Sequence, residues 1–235
     1  MKNKIGFFIM FLCASAHAQD IHVNIMTGLS YSWMRANKNI IESSASLFSY
    51  KAHIHCEYWL NDRYALTAGI GFSIAQGGAM DYKKGGDLLK DSELSHPEYH
   101  MLPAGTRIDY KINYLDFPFG LKLRTGTFKG YRFYVQAPEF SFAFRTKARA
   151  KITAAGLAFT EDEDIRNSIA GLSMFYGIHL GFEKKITEDM SLLAGIRFNQ
   201  SFTDITDDSG VYTDGNPENS KGILSSLDFR IGITF

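Results

Sequence analysis

Leu227-Asp228-Phe229-Arg230-Ile231-Gly232-Ile233-Thr234-Phe235 ends the chain. Large apolar residues hold the odd positions, and polar or small residues hold the even ones. That period of two reads as a β-strand. One face is wholly apolar and the other carries a carboxylate and a guanidinium. Two environments suit such a ribbon. In a soluble sandwich or barrel the charged face meets water outside. In a membrane barrel the apolar face meets lipid and the charges point into the lumen. The rest of the chain discriminates between them.

Seven more segments alternate in the same way. They run over about 21–33, 47–60, 63–75, 106–124, 131–144, 169–184 and 190–202. In the third, Tyr64, Leu66, Ala68, Ile70, Phe72 and Ile74 oppose Thr67, Gly69, Gly71 and Ser73. An ordinary soluble strand has about 5–6 residues, whereas a tilted strand needs roughly 9–11 to cross a bilayer. These segments reach the longer figure. The fourth carries a conflict, because Tyr110, Ile112 and Tyr114 have one parity and Leu115, Phe117, Phe119, Leu121 and Leu123 the other. A β-bulge near Tyr114-Leu115 is the simplest resolution, with Pro118 at a poorly paired position. The fifth segment has a similar slip near Pro138.

The connections alternate in length. Asn61-Asp62, 125–130 and 185–189 are tight hairpins, while 34–46, 76–105, 145–168 and 203–222 are long. Short turns on one rim and long loops on the other is the plan of an outer-membrane barrel, with the short turns periplasmic. An even strand count puts both termini on the periplasmic rim.

The amino end agrees with export. Lys2 and Lys4 precede the apolar run Ile5–Leu12, and Ala16-His17-Ala18 supplies a small-residue cleavage site. Residues 1–18 read as a signal peptide and 19–235 as one barrel domain. Cys13 leaves with the signal, so Cys56 is the single remaining thiol and reads as an apolar filler on a strand. The whole chain has 25 basic and 25 acidic residues; loss of Lys2 and Lys4 leaves 23 against 25. A net charge of −2 before histidines argues against a nucleic-acid partner, which needs a basic excess.

The polar faces nominate His53, His55, Glu57, Asp116, Lys122, Arg124, Arg132, Gln136, His179, Glu183, Arg197, Asn199, Asp228 and Arg230 as lumen residues. Eight strands enclose just enough room for side chains, and buried charges must pair. An internal salt-bridge network is therefore expected in place of an ion path. His53-x-His55-x-Glu57 sets three metal-ligand types on one face, but same-face neighbours stand about 7 Å apart along a strand, too far for easy sharing of an ion. Asp204-x-x-Asp207-Asp208 through Asp214-Gly215-Asn216 fails the EF-hand pattern. With Glu161-Asp162-Glu163-Asp164 it reads as solvated outer loop, able to meet lipopolysaccharide through bridging divalent cations. His96-Pro97-Glu98 and His100 read as ordinary loop residues, and no serine sits in a recognisable nucleophile context. No catalytic, metal-binding or cofactor-binding residue is expected, and no cofactor.

One motif adds a resemblance. Asn113-Tyr114-Leu115-Asp116-Phe117-Pro118-Phe119-Gly120-Leu121-Lys122-Leu123-Arg124 resembles the Tyr-Leu-Glu-Ile-Pro-Leu-x-Leu-Lys-Tyr pattern of the PorT-like outer-membrane β-barrels common in Bacteroidetes. Asp116, Pro118 and Lys122 stand at its acidic, proline and basic positions. The hairpin around Glu188-Asp189-Met190-Ser191-Leu192 and the terminal aromatic are also similar to that family. The resemblance implies an eight-stranded outer-membrane barrel and no particular activity. The member that names the family acts in protein secretion and gliding; the shared motif does not carry that role over, and leaves a secretion-related envelope protein as one candidate partner.

The expected molecule is thus an all-β, up-and-down, eight-stranded antiparallel transmembrane barrel of the outer membrane. It is monomeric, embedded in outer-membrane lipid and non-enzymatic, with its long outer loops meeting a partner or ligand. The alternatives are a small barrel enzyme acting on lipid and a soluble periplasmic lipocalin-like barrel.

Overall fold

The computed structural model describes residues 21–157 and 162–235. The signal peptide read at 1–18 lies outside the described residues, as does Glu161. The barrel strands are β1 (Ile21–Ala36), β2 (Ile41–Trp59), β3 (Tyr64–Tyr82), β4 (Thr106–Arg124), β5 (Tyr131–Thr153), β6 (Leu172–Lys185), β7 (Ser191–Ser201) and β8 (Gly222–Thr234). Each pairs antiparallel with the next, and β8 returns to β1. The closing seam runs in unbroken register from Asn24 opposite Thr234 to Ala36 opposite Gly222. Phe235 extends it, with two backbone bonds to Val23 of 3.0 and 3.1 Å. Among the described residues the eight-stranded wall has no bare edge, which is what a hydrocarbon surrounding requires.

Alternation sorts the side chains. Ile25, Ile54, Ile70, Leu121, Leu180, Ile196 and Ile231 all point out and are exposed, as is Cys56. Phe48 is 77% exposed. A soluble barrel does not present so continuous an apolar wall to water. The lipocalin-like alternative fails on this face.

One rim carries Ile21, the end of β8 and the short connections 60–63, 125–130 and 186–190. The opposite rim carries 37–40, 83–105, 154–171 and 202–221. The strands run further into that outer rim than their alternation indicated. β2 begins at Ile41, β3 continues to Tyr82 and β5 to Thr153, so much of the expected loop sequence is strand. Only four residues join β1 to β2, where a long loop was expected.

The parity conflict in β4 has another cause than a bulge in that strand. Ile108, Tyr110, Ile112, Tyr114, Asp116, Pro118 and Lys122 are all buried, so even positions face inward throughout. What changes is the environment. The lumen is polar beside Asp116 and Lys122 and apolar beside Tyr110 and Ile112, so apolar residues move to the inner face near the outer rim. The bulges lie on the neighbours. β3 shifts register between Ser73 and Gln76, and β5 shifts opposite Asn113 and Tyr114. The slip expected near Pro138 is present, between Gln136 and Glu139. Pro118 pairs with Ser141 of β5, while the β3 ladder skips from Ala68 opposite Phe119 to Gly71 opposite Asp116. A residue without an N–H is tolerated in that gap.

Leu180→Arg and Ile231→Arg place a cation on the apolar exterior. Each should weaken insertion by about 2–4 kcal/mol near the bilayer midplane, measured by urea titration of folding into phosphatidylcholine vesicles. Insertion equal to the parent would mean that the outward face is misassigned.

Candidate functional site

The lumen is built in two charged layers under an apolar cap. Nearest the short-turn rim, three strands bring Glu57, Lys122 and Glu183 together. The Lys122 ammonium lies 2.7 Å from Glu57 and also pairs with Glu183. The Asn24 amide donates to Glu57. Arg124 stands 3.9 Å from Glu183 and lies over Trp59, 3.4 Å from the ring centroid. Lys122 itself sits 4.4 Å from the Tyr134 ring centre. Cation–π contact of this kind adds to ion pairing where water is excluded.

The middle layer is centred on Asp228. Lys51, Arg230 and Arg197 stand 3.1, 3.5 and 3.6 Å from its carboxylate, and the Ser30 hydroxyl donates to it at 2.6 Å. Arg197 reaches Glu139 on its other side at 2.5 Å. His53 Nε2 lies 3.4 Å from Asp116, which also accepts from the Ser73 hydroxyl. His179 Nε2 and the Tyr134 hydroxyl are 3.1 Å apart. Small residues make room for these rings. A Cβ on Gly71 would fall 2.2 Å from a ring carbon of His53, and one on Gly181 would fall 2.5 Å from Tyr134. Lys51, Lys122, Arg124, Arg197 and Arg230 thus face Glu57, Asp116, Glu139, Glu183 and Asp228, five cations against five anions. The balance has a physical reason, because an unpaired charge out of water costs several kcal/mol.

Above the charges the lumen turns apolar. Leu88, Leu89, Tyr99, Leu102, Ile165, Ile169, Ile205 and Tyr212 from the outer connections pack on Met34, Met80, Ile108, Tyr110, Ile112, Ile152 and Leu224 of the strands. The connections are stitched to one another. Val211-Tyr212 pairs with Gly86-Asp87, and Glu163-Asp164 pairs with Arg149-Ala150 of β5. The Ser95 amide and hydroxyl donate to Glu163 at 2.7 and 2.5 Å. Lys84 bonds Asp214 at 2.7 Å and holds that carboxyl down at about 2. Asp204 accepts from Gly222 N–H at 2.8 Å and from Thr206, while its burial pushes its carboxyl above the usual carboxylate range. The acidic clusters read as solvated loop are therefore partly internal. Glu163 is buried, and Asp162 and Asp164 turn toward Arg149.

The sequence-nominated lumen residues converge with one exception. Arg132 lies at the lower mouth, where its Nε donates to Thr127 at 3.0 Å. His53 and His55 do not converge on a point; their rings sit edge to face, 5.7 Å apart. Among the described residues, no group of three or more His, Cys, Asp or Glu is placed to hold a metal ion. His100 Nδ1 faces Asp87 at 3.1 Å within the cap. Sequence reading missed Lys51, Glu139 and the whole cap. Lys51 was visible as the next same-face residue before His53. Glu139 was hidden by the register shift at Pro138.

Residues 17–207 match the model of a family described as outer membrane protein beta-barrel domain. The chain belongs to that family. The match stops before β8, the strand that closes this family member's wall. No curated protein matches the sequence. Similar solved structures include Neisserial surface protein A, at 14% identity and TM-score 0.44 over 91% of this chain and 95% of that one. Another is Ail of Yersinia pestis in complex with the heparin analogue sucrose octasulfate, at 9% identity and TM-score 0.40 over 92% and 99%. The outer membrane protease OmpT of Escherichia coli is similar at 10% identity and TM-score 0.46 over 93% and 97%.

Two predictions test the layers separately. Lys122→Met leaves Glu57 without its cation and Glu183 with only Arg124 at 3.9 Å, and should cost about 3–5 kcal/mol in urea unfolding; adding Glu183→Gln should recover part of it. Leu89→Ala, at a position 1% exposed, should cost about 2–5 kcal/mol of cap packing. It should speed proteinase K cleavage within 83–105 while the barrel core stays resistant. Unchanged cleavage would mean that the cap does not depend on this packing.

Proposed function

We propose that this outer-membrane barrel is a closed, non-enzymatic envelope protein whose capped outer rim is its interaction surface. The observation that carries the reading is the filled lumen. Between the Asp228 layer and the cap, the void lined by Lys51, Ser73, Gln76, Tyr114, Asp116 and Ser141 is about 10 Å³, room for about one water molecule. That void gives no passage to a solute larger than about one water molecule. The lumen histidines His53, His55 and His179 are buried beside that ion-pair network, away from a lipid or peptide substrate, and His100 at the outer rim is engaged with Asp87 at 3.1 Å.

The reading places residues 1–18 as a signal peptide and both termini with the short turns in the periplasm. The stitched connections on the opposite rim then face outward, rigid enough to present a fixed surface to a partner. The PorT-like motif at 113–124 supports seeking that partner among envelope proteins of a secretion system.

Planar-bilayer recording is the test. The purified protein should give no stepwise conductance, and it should leave radiolabelled phospholipid and lipopolysaccharide unchanged on incubation. Stable unitary openings would overturn the closed reading. Turnover abolished by one serine or histidine substitution would overturn the non-enzymatic one.

A further inference from the structure

The outer extensions of β4 and β5 carry a cluster of cations, of which Arg149 also meets the cap while Lys111 and Lys147 serve neither the lumen nor the cap. Lys147, Arg149 and Lys151 point outward on β5, alternating with buried Ala148, Ala150 and Ile152. On β4, exposed Lys111 stands directly opposite Arg149 and diagonal to Lys147 and Lys151. Like charges placed opposite each other in a sheet repel. Part of the repulsion is relieved locally, since Arg149 lies 3.6 Å from Asp164 and 3.9 Å from Asp162, and Asp109 stands opposite Lys151. Lys111 and Lys147 form no ion pair with any described residue.

Height on the barrel decides what meets them. The last outward apolar pair on these strands is Leu115 opposite Phe144, above Phe117 opposite Phe142. Asn113–Lys147 is the next outward pair and Lys111–Arg149 the one after. At about 3.3 Å per residue these lie roughly 7 and 13 Å further along the strands, or about 5 and 10 Å higher at a tilt of about 40°, at headgroup level once the chains end. Lysine side chains bend readily toward such a boundary. Elsewhere on this rim outward charged side chains are engaged with neighbours. Glu42 of β2 pairs with Lys83, Asp81 of β3 accepts from Ser44, and Arg35 of β1 donates to Gln200 at 3.3 Å.

We propose that this patch binds a phosphorylated lipid of the outer leaflet. Its phosphates would engage Lys111, Lys147 and Arg149, and its acyl chains would lie on Phe117, Phe142 and Phe144. The site contacts phosphate directly with cations. It therefore differs from a divalent bridge to acidic loops, in which carboxylates hold the ion.

The test uses the folded protein in phosphatidylcholine nanodiscs, titrated with diphosphorylated lipid A and read by native mass spectrometry. The parent should retain lipid A in EDTA and lose it as salt rises. Lys111→Gln with Lys147→Gln removes two cations that hold nothing else in place, and should weaken binding roughly thirtyfold. Enzymatically dephosphorylated lipid A should bind the parent as weakly. Arg35→Gln with Lys38→Gln, on another part of the rim, should leave binding unchanged. The proposal falls if the Lys111/Lys147 variant binds as tightly as the parent, if dephosphorylated lipid binds equally well, or if EDTA abolishes binding. It falls equally if a heparin oligosaccharide or inorganic phosphate displaces the lipid at matched phosphate or sulfate concentration, because the patch would then serve a soluble anion.

Discussion

Backbone hydrogen bonding in a medium without water is the constraint on which the rest depends. A sheet placed in hydrocarbon must have no free edge, and the seam between β1 and β8 meets that demand with an unbroken ladder. Closure then fixes the diameter at eight strands, and the diameter fixes what fits inside. Once the wall is closed, alternation leaves every second side chain no choice but the lumen.

The lumen solves its packing problem in two ways along its axis. Near the short turns and the centre it is filled by ion pairs around Lys122 and Asp228. Near the outer rim it is filled by Tyr110, Ile112 and the side chains that the connections fold onto them. The charged layers require near-equal numbers of opposite charges, because these side chains are buried and a surplus would be poorly screened. The apolar layer requires long outer connections, because the strands alone leave the mouth open. The length of 83–105, 154–171 and 202–221 is thus accounted for partly by packing.

The same two-layer filling carries the functional reading. A barrel blocked by charge below and by oil above is suited to present a surface. Its remaining distinctive chemistry lies outside, on the outer rim and on the extended wall of β4 and β5. There Lys111, Lys147 and Arg149 stand at the level where the membrane's apolar layer gives way to its polar one.

Much of this was legible in the residues alone. Period-two alternation in eight segments, the alternation of short and long connections, and the terminal Leu227–Phe235 strand determined the barrel and its outward face, because the side-chain period of a strand is a local property. The same alternation placed Asp116, Lys122, Arg197, Asp228 and Arg230 inside. Tertiary structure alone decided the partners, since Lys122 meets Glu57 and Glu183 across strands 61 or more residues distant in sequence. It also decided that Tyr110 and Ile112 face inward, where alternation had suggested a slipped strand. Hydropathy reports only that a face is apolar. Whether lipid or a folded cap covers that face depends on how far the strand rises above the membrane and on what distant connections bring to it.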